Sequence, residues 1–155
     1  MSEQTLLHED ITAFDMDTLS SVDTIKALGK VLEENAYIDK SYIDSVVERE
    51  ENFPTGLVLA NAGIAIPHAS PNNNVLKNGI AAARLKYPVE FACMEDPDKK
   101  VAVNMVFMLA LARSTEHLEI LKKLFIAFQN EDLVNNLLNS KNKIEFLTLL
   151  VNNLK

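Results

Sequence analysis

The stretch VAVNMVFMLALA, residues 101–112, decides the fold. Its odd positions are Val101, Val103, Met105, Phe107, Leu109 and Leu111, and most of its even positions are apolar too. Side chains on a strand alternate between two faces. A strand that is apolar on both belongs in the centre of a sheet covered by helices on each side. Asn104 interrupts the run, and 12 residues are too few to cross a bilayer.

Upstream lie shorter apolar runs bounded by Gly and Pro: GLVLA (56–60), GIAIP (63–67), GIAAARLKYP (79–88) and PVEFA (88–92). With 101–112 they predict a sheet of about five strands. Helical periodicity flanks this region. Val22, Ile25, Leu28 and Leu32 recur at helical spacing, with Ser20 or Ser21 as N-cap. Ile43, Val46 and Val47 follow Asp39, and Pro54 and Gly56 stop that helix. Downstream, Leu118, Leu121, Leu124, Phe125 and Phe128 predict one apolar face. EDLVNNLLNS (131–140) and NKIEFLTLLVNNL (142–154) predict two more helices, the last with Asn142 and Glu145 as a capping pair. The expected architecture is a single α/β domain spanning 1–155. It is a layered sandwich with a mixed central sheet flanked by helices on both faces, and residues 1–19 are an N-terminal extension.

The 155 residues are 48% hydrophobic, enough for a real core, and carry a formal net charge of −7. That charge argues against nucleic acid and against an anionic membrane surface, which select clustered Lys and Arg. It suits docking onto proteins with basic or mixed patches. One cysteine, Cys93, leaves no internal disulfide and no thiolate zinc cluster, and reads as a small core or loop-edge residue. The first residues show no basic-then-apolar signal pattern, so the cytoplasm is expected.

Three residues are candidates for chemistry. In GIAIPHAS (63–70), Ile64 and Ile66 point to one face and Ala65 to the other. Pro67 cannot donate to a ladder, so pairing is expected to end there and leave His68 just beyond the strand. Ligand sites of open α/β sheets gather at strand ends. An ordinary surface-loop histidine fits the same spacing. His117 follows the long strand and falls in the first turn of a helix capped by Ser114 or Thr115, where free N–H groups and the helix dipole favour an anion. A partly exposed histidine without a role fits equally. If the two strands end on the same side, one imidazole can act as nucleophile and the other as donor to an anion. Two histidines also suggest a metal, but no third ligand stands out. His8 sits in a polar segment and looks uninvolved. Arg49, in VEREENFPTG, is either part of a solvated helix face or a guanidinium that holds a phosphate. No phosphate loop, G-x-S-x-G, H-E-x-x-H or Rossmann glycine pattern is present.

FPTGLVLANAGIAIPHAS (53–70) resembles the active-site segment of the EIIA proteins of the fructose–mannitol class, which belong to the bacterial phosphoenolpyruvate-dependent sugar phosphotransferase system. The matching elements are Arg49-Glu50, Pro54-Thr55-Gly56 and Ile64-Ala65-Ile66-Pro67-His68, with His117-Leu118 at the start of a later helix. The resemblance runs from about residue 20 to the C-terminus. It implies that His68 is phosphorylated by the phosphohistidine of HPr. The group would pass to a cysteine of EIIB, and so indirectly serve the membrane component EIIC. It also implies that His117 stabilises the phosphoryl group, that Arg49 supplies charge or positioning, and that no metal or cofactor is needed. PVEFACMEDPDKKVAV (88–103) resembles the galactitol-type branch. Fructose or mannitol carriers, and the nitrogen-related branch that signals by binding target proteins, share the same site.

Overall fold

The strand β5 (Lys100–Ala110) runs through the middle of the sheet, as its two apolar faces predict. The computed structural model describes residues 6–154. Chain order is β1 (Thr12–Met16), α1 (Ser21–Glu34), α2 (Lys40–Asn52), β2 (Gly56–Val58), β3 (Gly63–Ala65), β4 (Gly79–Ala92), β5, α3 (Ser114–Phe128), α4 (Glu131–Leu138) and α5 (Lys143–Asn153). The sheet order is β1-β4-β5-β3-β2. β1 pairs with β4 and β3 with β5 in parallel, whereas β4–β5 and β2–β3 are antiparallel. The mixed, five-stranded, helix-covered α/β domain is therefore as expected.

Two clusters fill the layers. On one face Ile25, Leu28 and Leu32 of α1 and Tyr42, Ile43 and Val46 of α2 pack on Ala65, Ala81, Ala83, Val106 and Met108. On the other, Ile120, Leu124 and Phe128 of α3, Leu137 of α4 and Phe146 and Leu150 of α5 pack on Ile64, Ile66, Ile80, Met105, Phe107 and Leu109. Ile64 and Ile66 thus share a face opposite Ala65, as predicted. The odd positions of β5 do not all share one. Val101 and Val103 face α1 and α2, while Met105, Phe107 and Leu109 face α3–α5. The pleat is offset at Asn104, whose Oδ1 accepts a hydrogen bond from the Gly63 N–H at 3.0 Å. This explains a polar residue inside a buried strand.

Three expectations need correction. The segment before residue 20 contributes a 3-10 turn (Glu9–Ile11) and the edge strand β1, with Leu6, Leu7 and Ile11 buried. The runs 79–88 and 88–92 are one strand, because Pro88 falls at an irregularity between Arg84 and Val89 where no ladder donor is required. On α3, Leu118 is 62% exposed, and the buried set is His117, Ile120, Leu124 and Phe128. The caps at Ser20, Asp39 and Asn142 form as read, each accepting a backbone N–H.

β3 lies so close to β5 that only glycine fits at its start. A Cβ on Gly63 would stand 2.2 Å from the Ala102 carbonyl oxygen and 2.8 Å from a Val101 methyl. Gly63→Ala is therefore expected to lower stability by about 1–3 kcal/mol, the usual range for overpacking. Urea denaturation measures this, and a midpoint equal to that of the natural protein would contradict the close approach.

Candidate active site

Because β3 and β5 are parallel, both run out at the same edge of the sheet. The loops that follow deliver His68 and His117 to one place. Their ring centroids are 5.3 Å apart, with planes tilted by 31°. Pairing does not stop at Pro67 as expected. Pro67 cannot donate, but its carbonyl accepts from the Leu109 N–H at 3.0 Å, extending the β3–β5 contact to the residue before His68.

The residue after His68 is held as firmly. Buried Tyr42 on α2 donates its hydroxyl to the Leu109 carbonyl at 2.6 Å and accepts from the Ala69 N–H at 3.2 Å. Burial pushes the Tyr42 phenol up to about 12, so it stays protonated and can donate. Sequence reading did not single out Tyr42. The available signal was a tyrosine on the apolar face of a helix, where a buried hydroxyl must find partners.

His68 is half-buried, and its Nδ1 lies 2.8 Å from the Ile66 carbonyl oxygen. A carbonyl only accepts, so Nδ1 carries the proton and Nε2 holds the lone pair. Burial lowers the His68 pKa, the Ile66 carbonyl opposes this, and Arg49 lowers it further. The ring is therefore neutral and nucleophilic near pH 7.

His117 is 7% exposed. Burial first, then His68 and Arg49, push its pKa down to about 4, against backbone hydrogen bonds at Arg113 and Ser114 that raise it. Its Nε2 is buried and has no hydrogen-bond partner among the described residues. Such an atom in a folded protein calls for an explanation, and a group that is present only during function supplies one. The expected cap at Ser114 or Thr115 does not form. Arg113 occupies the N-cap and makes no side-chain capping bond, so the first turn of α3 keeps its backbone donors without a side-chain acceptor.

Arg49 completes the group. It sits in the last turn of α2, stacks on Phe53 with its Cζ 5.0 Å from the ring centre, and lies close enough to act electrostatically on both histidines. A cavity of about 270 Å³ opens beside it, lined by Ser45, Glu48, Arg49, Asn52, Phe53, Ala69 and Ser70. The sheet thus brings His68, His117 and Arg49 together. His8 and Cys93 lie elsewhere: His8 precedes the 3-10 turn, and Cys93 bridges to Gly56 beside β2. Among the described residues no three metal-ligating side chains cluster, and no helix is long and apolar enough to cross a membrane.

Fold and site together define an α/β domain that presents a lone-pair imidazole, a guanidinium and an uncapped helix start to an anion. The family model described as "Phosphoenolpyruvate-dependent sugar phosphotransferase system, EIIA 2" matches residues 5–153. A mannitol-specific phosphotransferase enzyme IIA component of Halalkalibacterium halodurans is 32% identical over 149 residues, 95% of each chain. A galactitol-specific EIIA component of Escherichia coli K12 is 28% identical over 116 residues, 75% of this chain and 76% of that one. The crystal structure of IIA mannitol from Escherichia coli superposes with a TM-score of 0.75 at 25% identity, covering 93% and 98% of the two chains. The nitrogen regulatory protein IIA-Ntr of Neisseria meningitidis gives 0.78 at 27% identity, covering 94% and 97%. The chain belongs to the EIIA type-2 family of the sugar phosphotransferase system.

The pKa of His117 makes a direct prediction. A histidine held near 4 binds no proton between pH 8 and pH 5.5, so its ring signals in an NMR titration stay fixed over that range. A midpoint near 6.5 would show that burial, His68 and the Arg49 guanidinium do not act on it.

Proposed function

We propose that this chain is a phosphocarrier that holds a phosphoryl group on His68 Nε2. The group comes from the phosphohistidine of HPr and goes to a cysteine of EIIB, so that a carrier in the cytoplasm feeds uptake of a polyol through the membrane component EIIC. The single observation that carries this reading is the His117 Nε2, without a partner among the described residues, in a ring 5.3 Å from that of His68, whose Nδ1 is engaged by Ile66.

The chemistry balances simply. The His68 lone pair forms a new N–P bond as the P–N bond of the donor phosphohistidine breaks, and the donor imidazole keeps that electron pair. In the second step a cysteine thiolate attacks phosphorus and the His68 lone pair returns. In-line transfer needs positioning and stabilisation of charge on the equatorial oxygens, with little covalent work for the protein. The first turn of α3 and Arg49 supply positive potential for those oxygens. An arriving phosphoryl anion also raises the pKa of His117, so that its Nε2 takes up a proton and becomes a donor. Exposed Phe53 and Leu118 border the site and give partners an apolar rim.

The polyol class is supported by relatives named for mannitol and galactitol. Galactitol is the particular polyol that the segment 88–103 suggests. Against it stands the higher identity of the mannitol relative. A second reading, a regulatory module of the nitrogen type, is favoured by the similarity to IIA-Ntr.

Incubation with phosphoenolpyruvate, Enzyme I and HPr is expected to add one acid-labile phosphoryl group. His68→Gln is expected to abolish labelling, and His117→Ala to slow transfer by about 10²–10³, or roughly 2–4 kcal/mol by analogy with oxyanion donors. Full-rate labelling of His68→Gln sinks the assignment. The phosphorylated protein is then offered mannitol-type and galactitol-type EIIB. Rapid loss of label to one names the branch, and retention with both favours the regulatory reading.

A further inference from the structure

A chain of hydrogen bonds begins at a buried carboxyl group on α2 and ends at His68. Glu50 is 9% exposed, and among the described residues no lysine or arginine lies within salt-bridge distance of it. Its two oxygens are held instead by one residue. The Thr55 N–H donates to Oε2 and the Thr55 hydroxyl to Oε1, both at 2.8 Å. Thr55, itself 4% exposed, accepts at its hydroxyl oxygen from the Ile66 N–H at 3.1 Å. The carbonyl oxygen of the same Ile66 then accepts a hydrogen bond from His68 Nδ1–H, with 2.8 Å between nitrogen and oxygen.

Glu50 sets the direction of the Thr55 hydroxyl, whereas the Ile66 N–H can only donate and its carbonyl can only accept. Because both oxygens of a carboxylate are acceptors, Thr55 must spend its hydroxyl proton on Glu50. Its oxygen lone pair is then turned towards Ile66. The β3 ladder ends at Ala65, so the Ile66 N–H has no partner on a neighbouring strand, and Thr55 supplies the one it needs. Pinned at Ile66 by Thr55 and at Pro67 by Leu109, the strand end holds the Ile66 carbonyl still. An apolar side chain at position 50 would avoid the desolvation of a carboxyl group. The charge-bearing group is retained where it anchors both Thr55 donors and so fixes the residue that pins the Ile66 peptide beside His68.

We propose that Glu50 is a positioning residue for phosphoryl transfer, acting through Thr55 and Ile66 to hold His68 with Nδ1–H inward and Nε2 outward. This rests on the phosphocarrier reading above for its rate, but not for its effect on the ring. Glu50→Gln keeps the shape and removes one acceptor, so either the Thr55 hydroxyl or the Thr55 N–H meets an N–H donor, and Thr55 no longer holds the Ile66 peptide in place. Thr55→Val removes the hydroxyl at equal size, and Thr55→Ser restores it.

The test combines ¹⁵N NMR of the histidine rings in the unphosphorylated full chain with the rate of labelling from phosphorylated HPr. For Glu50→Gln and Thr55→Val the expected result is a mixed His68 tautomer and transfer slowed by about tenfold to a hundredfold, the range for misplaced reacting groups. Thr55→Ser is expected to recover both readouts. Wild-type tautomer and rate in Glu50→Gln or Thr55→Val overturns the proposal, as does a changed tautomer with an unchanged rate. If Glu50→Gln does not fold, the valine and serine variants at position 55 decide alone. If the natural protein itself takes no label, the phosphocarrier reading fails, while the tautomer of the variants still decides whether Glu50 orients His68.

Discussion

The parallel pairing of β3 with β5 is the constraint on which the site depends. Ile64 faces Met105 and Ala65 faces Val106, and both strands run the same way. In an antiparallel pair the two exits would lie at opposite ends of the sheet and the histidines would be a strand length apart. Here the Leu109 N–H to Pro67 carbonyl bond carries the contact two residues past the ladder. Gly63 allows the approach by leaving the Ala102 carbonyl unobstructed. The Tyr42 hydroxyl then ties Ala69 to Leu109, so the segments before and after His68 are both fastened to β5. His68 stands on a rigid frame, although it belongs to a loop.

That frame sets the electrostatics. The chain as a whole has a formal charge of −7, yet the immediate surroundings of the two imidazoles are electropositive. Arg49 reaches both rings, and α3 begins without a side-chain cap. Burial adds to this by disfavouring a proton on either ring. Two neutral histidines beside one guanidinium make a site that is incomplete until an anion enters it. The orphaned His117 Nε2 is the clearest sign of that incompleteness.

Much of this was legible in the sequence because it rests on strong periodicities. The helices and the central strand each carry a long run of apolar residues, and the end of β3 is marked by Pro67. What escaped lacks such a run. β1 is a five-residue edge strand whose Asp15 adopts a positive φ and pairs with Arg84, so its pattern is irregular. β4 was divided by Pro88, which reads as a stop unless the bulge that tolerates it is known. On α3 the apolar spacing was shifted by one position, since a buried polar residue, His117, takes a place that hydrophobicity alone awards to Leu118. Arg49, His68 and His117 were recognised through a family pattern, and spacing alone left each with an ordinary alternative. The Glu50–Thr55–Ile66 path was invisible for a different reason. Hydrogen bonds between residues 5 and 11 positions apart have no period.

The buried carboxyl and the buried imidazole respond to pH in opposite senses. Burial raises the Glu50 pKa to about 7 from 4.5, and the Thr55 bonds oppose that rise. A carboxyl raised on folding stabilises the fold below about pH 4.5, and this contribution is lost as pH rises through about 7. His117, lowered from 6.5 to about 4, contributes stability above 6.5 that is lost as pH falls through about 4. Across the interval they share, one gain is set against the other. The working arrangement lies at the upper end. There His117 is neutral, and the ionised Glu50 can accept both Thr55 bonds at once, which a protonated oxygen does poorly. Above about pH 7 the fold therefore gives up some of the stability available to a neutral Glu50 while Thr55 keeps both of its bonds to the carboxylate.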